Sequence, residues 1–429
     1  MSFRIAPFSA DITIPLNHRC MGLLPTKSKE IIDPLQAHGF VLLGGDKPIV
    51  QLALDWCEVR NEAYERWRHV LAEAAGTDPA RVLLSSLHQH DAPVTDIGAQ
   101  NLLDKVGLPG ELFDFKFHEE CVQRVAATMK DAIKESRVVT HYGVGQAKVE
   151  KVASNRRVVI DGAVSYGRGS SSGGNKAYAE ADDGLIDPFL KTLSIWDGDN
   201  PIVALHAYST HPMSFYGRGG VTYDFVGIAR ELRRRDDPQV QQIYVSGCSG
   251  DTTAGKYNDG SAANRQALAH RLYDAMKRAW EVTQKHSLES VRFQSAPLTL
   301  PYRKADSLTR AAMTSVLEDS QADVIKRIYA AMSLNSWLRV KSGKPIDVPC
   351  FDLGQAQLVL LPGEAFVGYQ LLAQSIRPDS IVVTIGYGEC WPGYIPTDAA
   401  DEDHFTDQWL WVDRGCEPRI RAALEKVLK

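Results

Sequence analysis

RVLLSSLHQHDAP, residues 81–93, is the stretch on which the reading of this chain turns. An apolar run gives way to His88 and His90, and Pro93 then ends the segment. Alternate side chains of an extended strand share a face, which predicts that the two imidazoles sit together at the strand's end. Imidazole is a common zinc ligand, and a strand end is a rigid mount with open space above it. Two exposed loop histidines would give the same pattern, so one His-x-His segment does not decide between them.

Outward from this stretch, strand-like runs alternate with helical ones: 39–43, 48–54, 81–87, 138–149, 190–196, 202–207, 242–246, 290–298, 357–361 and 380–385 read as strands. Helices are predicted over 60–75, 117–135, 223–235, 261–284, 306–340, 364–376 and 417–428. The face made by Cys121, Val122, Val125, Met129 and Ile133 is the clearest. The alternation predicts an α/β protein with mixed β-sheets flanked by helices, in a single domain over 1–429. Two long irregular stretches, 153–188 and 386–415, read as lids or binding loops. GRGSSSGG, residues 167–174, lacks the Gly-Lys-Ser/Thr ending of a phosphate loop and reads as a surface loop.

Three other segments place capable side chains where an apolar run breaks. In PIVALHAYSTHPMSFYG, residues 201–217, Pro212 forces a turn that leaves His211 near a strand end, while His206 lies within the strand pattern and reads as a core residue. Asp224 opens the next helical stretch, where a carboxylate also serves as an ordinary cap. In LVLLPGEAFVGYQ, residues 358–370, the strand breaks at Pro362-Gly363 and Glu364 is expected to begin a helix. GYGECWPGYIPTD, residues 386–398, holds Tyr394 in an aromatic loop that reads as a binding rim or as packing.

Composition narrows the class. The 429 residues carry a formal net charge of −5 and no basic stripe, so no nucleic-acid partner is expected. Arg233, Arg234 and Arg235 run straight into Asp236 and Asp237 and read as a solvated helix end. No stretch is long and apolar enough to span a bilayer, and the first residues lack an apolar signal core, so a cytoplasmic protein with no stable membrane anchor is expected. The seven cysteines are scattered without a CxxC pair, which argues against a disulfide framework or a thiolate zinc site.

Taken in order, these segments resemble the N-terminal catalytic domain of neutral, non-lysosomal ceramidases. The resemblance begins at Asp11-Ile12-Thr13 and passes through Asp33-Pro34-Leu35 and Asp55. LHQHDAP resembles the family's H-T-H-S-G-P, and SNRR (154–157) and DGLIDP (183–188) resemble its next two segments. THPMSF (210–215) with YDFVG (223–227), LPGE (361–364) and PGYIPT (392–397) resemble its remaining motifs. Each match is short; their shared order carries the resemblance. It implies a zinc site of His88, His211, Glu364 and Tyr394, with His90 beside the metal as a proton shuttle. It also implies that Tyr394 steadies an oxyanion, that Arg156 holds a substrate oxygen, and that Asp224 belongs to the catalytic set.

The chain departs from that family in two ways. Gly247, in VSGCSGD (245–251), stands where the family carries a serine, with Cys248 and Ser249 displaced by one or two positions. With a last helix predicted to reach residue 428, the family's C-terminal immunoglobulin-like domain is not expected. The expectation is therefore a divergent member that is not a true ceramidase: a zinc-dependent hydrolase using metal-activated water on an amide or related acyl bond of a small, polar substrate. Gly247, Cys248 and Ser249 are expected to line the substrate side. The alternatives are a metal-dependent lyase or isomerase acting on a sugar-like compound, and a non-catalytic protein that binds ligand in a metal pocket. The oligomeric state is not predicted.

Overall fold

The computed structural model describes residues 2–172 and 174–429; Gly173, within GRGSSSGG, lies outside the described residues. Three sheets build the fold, and one local plan occurs in each. In the first, the strand order is Val82–Ser86, Ile49–Leu54, Gln36–Leu43, Phe3–Asp11, Arg137–Val139. In the second it is Gln241–Ser246, Asn200–Tyr208, Phe189–Asp197, His141–Lys148, Gln284–Ser287. The third runs Arg292–Leu298, Ile346–Asp352, Ala356–Leu360, Ile381–Ile385.

At one edge of each sheet, two strands run parallel: Ile49–Leu54 with Val82–Ser86, Asn200–Tyr208 with Gln241–Ser246, and Ala356–Leu360 with Ile381–Ile385. The chain crosses between the partners of each pair through a helix: Asn61–Ala75, Asp224–Asp236 and Val367–Ile376 respectively. Covered on both faces, these strands are buried almost throughout and read as continuous apolar runs such as IVQLAL and AQLVL. The first crossover helix stops at Gly76, whose left-handed φ of 68° lets its N–H reach back to the last carbonyls.

The carboxyl ends of the pairs are laced to one another. Ser86 N donates to Tyr387 O at 3.0 Å, Gly386 N to Ser246 O at 2.9 Å, and Ser246 Oγ to Leu87 O at 2.8 Å. Residues from all three sheets thus meet at one point, and ligands of open α/β sheets bind at the carboxyl ends of strands.

Several expectations change. The run 138–149 is two strands in different sheets, Arg137–Val139 and His141–Lys148. The stretch 306–340 is a short 3₁₀ turn and two helices, Arg310–Glu318 and Val324–Lys341. The strands Phe3–Asp11 and Ile346–Asp352 carry too mixed a pattern to have been read. The irregular stretch 153–188 contains a two-stranded ribbon, Val158–Ile160 with Ala163–Ser165. Arg233 is buried over Trp280 and paired with Asp236 and Asp237, so only Arg234 and Arg235 fit the solvated reading. Among the described residues, no helix is long and apolar enough to cross a membrane, and all seven cysteines are buried free thiols.

Candidate metal centre

Each segment singled out by its chemistry ends one of the parallel strands. His88 and His90 follow Val82–Ser86, His211 follows Asn200–Tyr208, Glu364 follows Ala356–Leu360, and Tyr394 lies beyond Ile381–Ile385. His88 is already outside the strand, with a left-handed φ of 67° and its N–H bonded to Trp56 O at 2.9 Å. That turn, not strand alternation, aims its ring inward. Its ring stacks on Tyr387 at 4.4 Å and 16°, and Tyr387 is itself left-handed at φ 57°. Left-handed backbone in a non-glycine residue costs about 1 kcal/mol or more and persists where surrounding structure enforces it.

The Glu364 expectation is corrected: Glu364 does not begin a helix. Glu364–Ala365 is a two-residue strand paired in parallel with Tyr394–Ile395, and the helix starts at Val367. The rim reading of the 386–398 loop changes as well, because Trp391, Tyr387 and Tyr394 are all buried.

The side chains converge. His88 Nε2 lies 3.2 Å and His211 Nε2 3.0 Å from the same atom, Glu364 Oε2, and all three residues are fully buried. The opposite ring nitrogens settle the tautomers. His211 Nδ1 is 2.6 Å from the Ser249 carbonyl and His88 Nδ1 is 3.2 Å from that of Cys57. A carbonyl only accepts, so each Nδ1 carries a proton, and a neutral ring so held turns the lone pair of its Nε2 toward the carboxylate oxygen. Glu364 Oε2 and His211 Nε2 have no hydrogen-bond partner despite their closeness. Three electron-rich atoms facing one another in a buried pocket call for a positive charge among them, and two imidazoles with a carboxylate are a donor set that suits zinc. The residues fit a metal ion.

Charge couples the three side chains. Burial opposes ionisation of Glu364, but the two histidines hold its carboxyl well below the usual range. Burial and then Arg156 push His211 down to about 4, whereas the Glu364 charge raises His88 against its burial. His90 faces both other histidines, with ring centroids 5.4 Å from His88 and 6.0 Å from His211. Burial and these neighbours hold it neutral, far below its ordinary value, and neither of its ring nitrogens has a partner. His88, His90 and His211 form a group able to hold an ion, and Glu58, His88 and Glu364 form another.

Tyr394 stands on the other side, its ring 6.3 Å from that of His211. Arg156 Nη1 donates to its hydroxyl at 2.8 Å, and the guanidinium also lies over its ring. Arg156 Nε is buried without a partner.

The remaining sequence candidates lie behind the cluster. Both oxygens of Asp224 are taken by Ser214 and by the Phe225 N–H, so its carboxylate ties the turn after His211 to the crossover helix. Ser249 supplies the carbonyl that orients His211, and its hydroxyl pairs with Tyr387 at 2.7 Å. Cys248 is fully buried, and burial pushes its thiol up. A side chain at Gly247 would collide with Gln370, which already accepts from Cys248 N at 3.0 Å. These three residues form the floor under His211. His206 is a core residue, held between Thr192 and Gln242.

Sequence reasoning missed Tyr387 and Glu58. Glu58 Oε1 lies 3.7 Å from His88 Nδ1, fully buried beside Arg60. Its signal in the sequence is an acid and a base two residues apart in DWCEVR, residues 55–60, at the end of an apolar strand run.

The fold is that of a neutral ceramidase catalytic domain. The chain superposes over its whole length on the crystal structure of a neutral ceramidase from Pseudomonas aeruginosa, with a TM-score of 0.71, 15% identity and 73% of that chain covered. A ceramidase complexed with C2 gives a TM-score of 0.71 and 15% identity over 74% of its chain. No family model matches the sequence, and no curated protein matches it.

Proposed function

We propose that this chain is a zinc-dependent hydrolase that cleaves an amide or related acyl bond of a small, polar substrate. The observation that carries the reading is the approach of His88 Nε2 and His211 Nε2 to one oxygen of Glu364, with the opposite ring nitrogen of each at a backbone carbonyl. These three side chains would hold the metal, with Tyr394 at its edge. A zinc ion there supplies Lewis acidity toward water and toward an acyl oxygen.

The chain's own groups supply the rest. The Tyr394 hydroxyl, fixed by Arg156, is suited to donate to an oxygen that gains negative charge as the acyl carbon is attacked. The unpartnered edge of Arg156 is suited to a second polar or anionic oxygen of the substrate. His90, neutral with both ring nitrogens free, is suited to take a proton and pass it to the leaving nitrogen. A serine at Gly247 would have to displace the Gln370 amide oxygen, with which its Cβ would collide, and the glycine found there favours a substrate other than ceramide. A cytoplasmic location belongs to the same proposal.

Metal analysis of the purified chain tests the centre. One zinc per chain, lost in His88→Ala and Glu364→Ala, is the expected result; full occupancy in both variants refutes the ligand assignment. A panel of soluble amides turned over in heavy-oxygen water tests the reaction. Solvent oxygen in the acid product is expected of a hydrolase, whereas turnover without it indicates a lyase or isomerase.

A further inference from the structure

His88 and Tyr394 reach the metal centre from different sheets, and one residue outside that centre touches the support of both. Trp409 is buried in the loop that follows Tyr394, and its indole Nε1 donates to Glu58 Oε1 at 2.9 Å. That oxygen is the one 3.7 Å from His88 Nδ1. The backbone carbonyl of Trp409 meanwhile accepts from Tyr394 N at 2.9 Å, and a side chain at Gly393 would collide with this carbonyl. The other oxygen of Glu58 accepts from Arg60 at 2.9 Å, and Arg60 stacks 4.3 Å above Trp411.

We infer that Trp409 is a positioning residue that joins the two sides of the metal centre, holding the Glu58 carboxylate behind His88 with its indole and the Tyr394 strand with its carbonyl. This rests on the metal reading above. The Cys57 carbonyl, 3.2 Å from His88 Nδ1, fixes the tautomer, and the Glu58 carboxylate 3.7 Å away adds a negative charge behind the same nitrogen that strengthens the opposite one as a donor. Glu58 does this only while it stays put. Arg60 alone anchors the oxygen that faces away, so the indole N–H sets where the oxygen nearer His88 lies. Trp409→Phe removes that donor and keeps the carbonyl that holds Tyr394.

The test measures zinc affinity of the whole chain by competition with a chromophoric chelator, and the absorption spectrum of the cobalt(II)-loaded protein. Trp409→Phe and Glu58→Gln are each expected to weaken zinc binding by about 10- to 100-fold and to shift the cobalt spectrum. The double variant is expected to lose little more than the worse single one, because both act through one hydrogen bond. Trp196→Phe, which deletes an equivalent indole bond to Ser194 Oγ far from the centre, is expected to change neither readout. Parent-like zinc affinity in Trp409→Phe, or fully additive losses in the double variant, would overturn the inference while leaving the metal reading intact. A parent protein that takes up no zinc refutes both. Should Trp409→Phe not fold, Glu58→Gln carries the test, and parent-like affinity there overturns the inference.

Discussion

Glu364 and Tyr394 are register partners in a parallel ladder only two residues long, and Glu364 N donates to Gly393 O at 2.8 Å. A carboxylate and a phenol from separate loops are thereby fixed against each other by main-chain bonds rather than by side-chain contact. Ligands mounted this way tolerate little displacement. The same ladder is braced from below, because Gly250 N donates to Ala365 O at 3.0 Å.

Gly250→Ala therefore tests the mount. An added methyl collides with the Glu364 carbonyl and crowds the Phe366 ring. A loss of about 1–3 kcal/mol in urea unfolding is expected, together with reduced zinc content. Gly76→Ala, by contrast, strains a left-handed glycine but meets no atom, so it is expected to cost about 1 kcal/mol and leave zinc unchanged.

The floor of the site makes a coupled prediction. Gly247→Ser drives its side chain into Gln370, which releases Cys248 N from its acceptor. It is expected to destabilise the protein by about 1–3 kcal/mol, and the double variant with Gln370→Ala, which by itself also frees Asp187, to lose less than the sum of the two single variants. Strict additivity in thermal unfolding would show that the two side chains do not compete for the same space.

Chelation should reveal the charge that the cluster lacks by itself. Zinc that binds only the folded chain adds about 4 kcal/mol when present at a thousand times its dissociation constant. Removal with EDTA is expected to lower the thermal midpoint of the parent and to leave that of His211→Ala unmoved.

His206 provides the contrast with His211. His206→Ala leaves Thr192 Oγ1 and Gln242 Oε1 facing an emptied core position. The expected cost is about 2–4 kcal/mol in unfolding free energy, with zinc content unchanged. Loss of zinc in this variant would move His206 from the core into the site.

Glu389 gives stability a dependence on pH. Burial raises its carboxyl to about 7, against the partial relief of Arg339 and of the Asn61 and Trp391 N–H groups. A folded-state value above that of the exposed acid means that the folded chain binds the proton more tightly. Its stabilising contribution is complete below about 4.5 and is lost as the pH rises through about 7. Relative to Glu389→Gln, the parent is expected to lose on the order of 3 kcal/mol across that window, measured by urea unfolding of metal-free protein at a series of pH values. A flat difference between the two proteins would show that Glu389 titrates alike in the folded and unfolded chain.

Much of this protein was legible because its signals are local. Continuous apolar runs mark strands buried on both faces, and the parallel strands that carry the centre were found for that reason. The face of Phe115–Lys134, with Cys121, Val122, Val125 and Met129 buried, followed from helical period alone. His88, His211 and Glu364 each stood where an apolar run broke. Chemistry and position identified them as candidates; their grouping came from the order of short motifs. Local pattern failed at Glu364, where a proline-glycine break followed by an acid looks like a helix start. The pairing that makes it a strand lies in a distant loop.

What only the tertiary structure decided is the meeting itself. Hydrogen bonds among Ser86, Ser246, Gly386 and Tyr387 join three sheets that are separate along the chain, and no periodicity encodes such a bond. Glu58, Tyr387 and Trp409 acquire their roles from neighbours hundreds of residues away or across a turn, so their local sequence looks like ordinary core. The sequence by itself determined the parallel strands that carry the centre and which side chains stand beyond their ends. Packing of the three sheets determined that those ends face one another, because burial of two-sided apolar strands leaves their carboxyl ends a single common place to go.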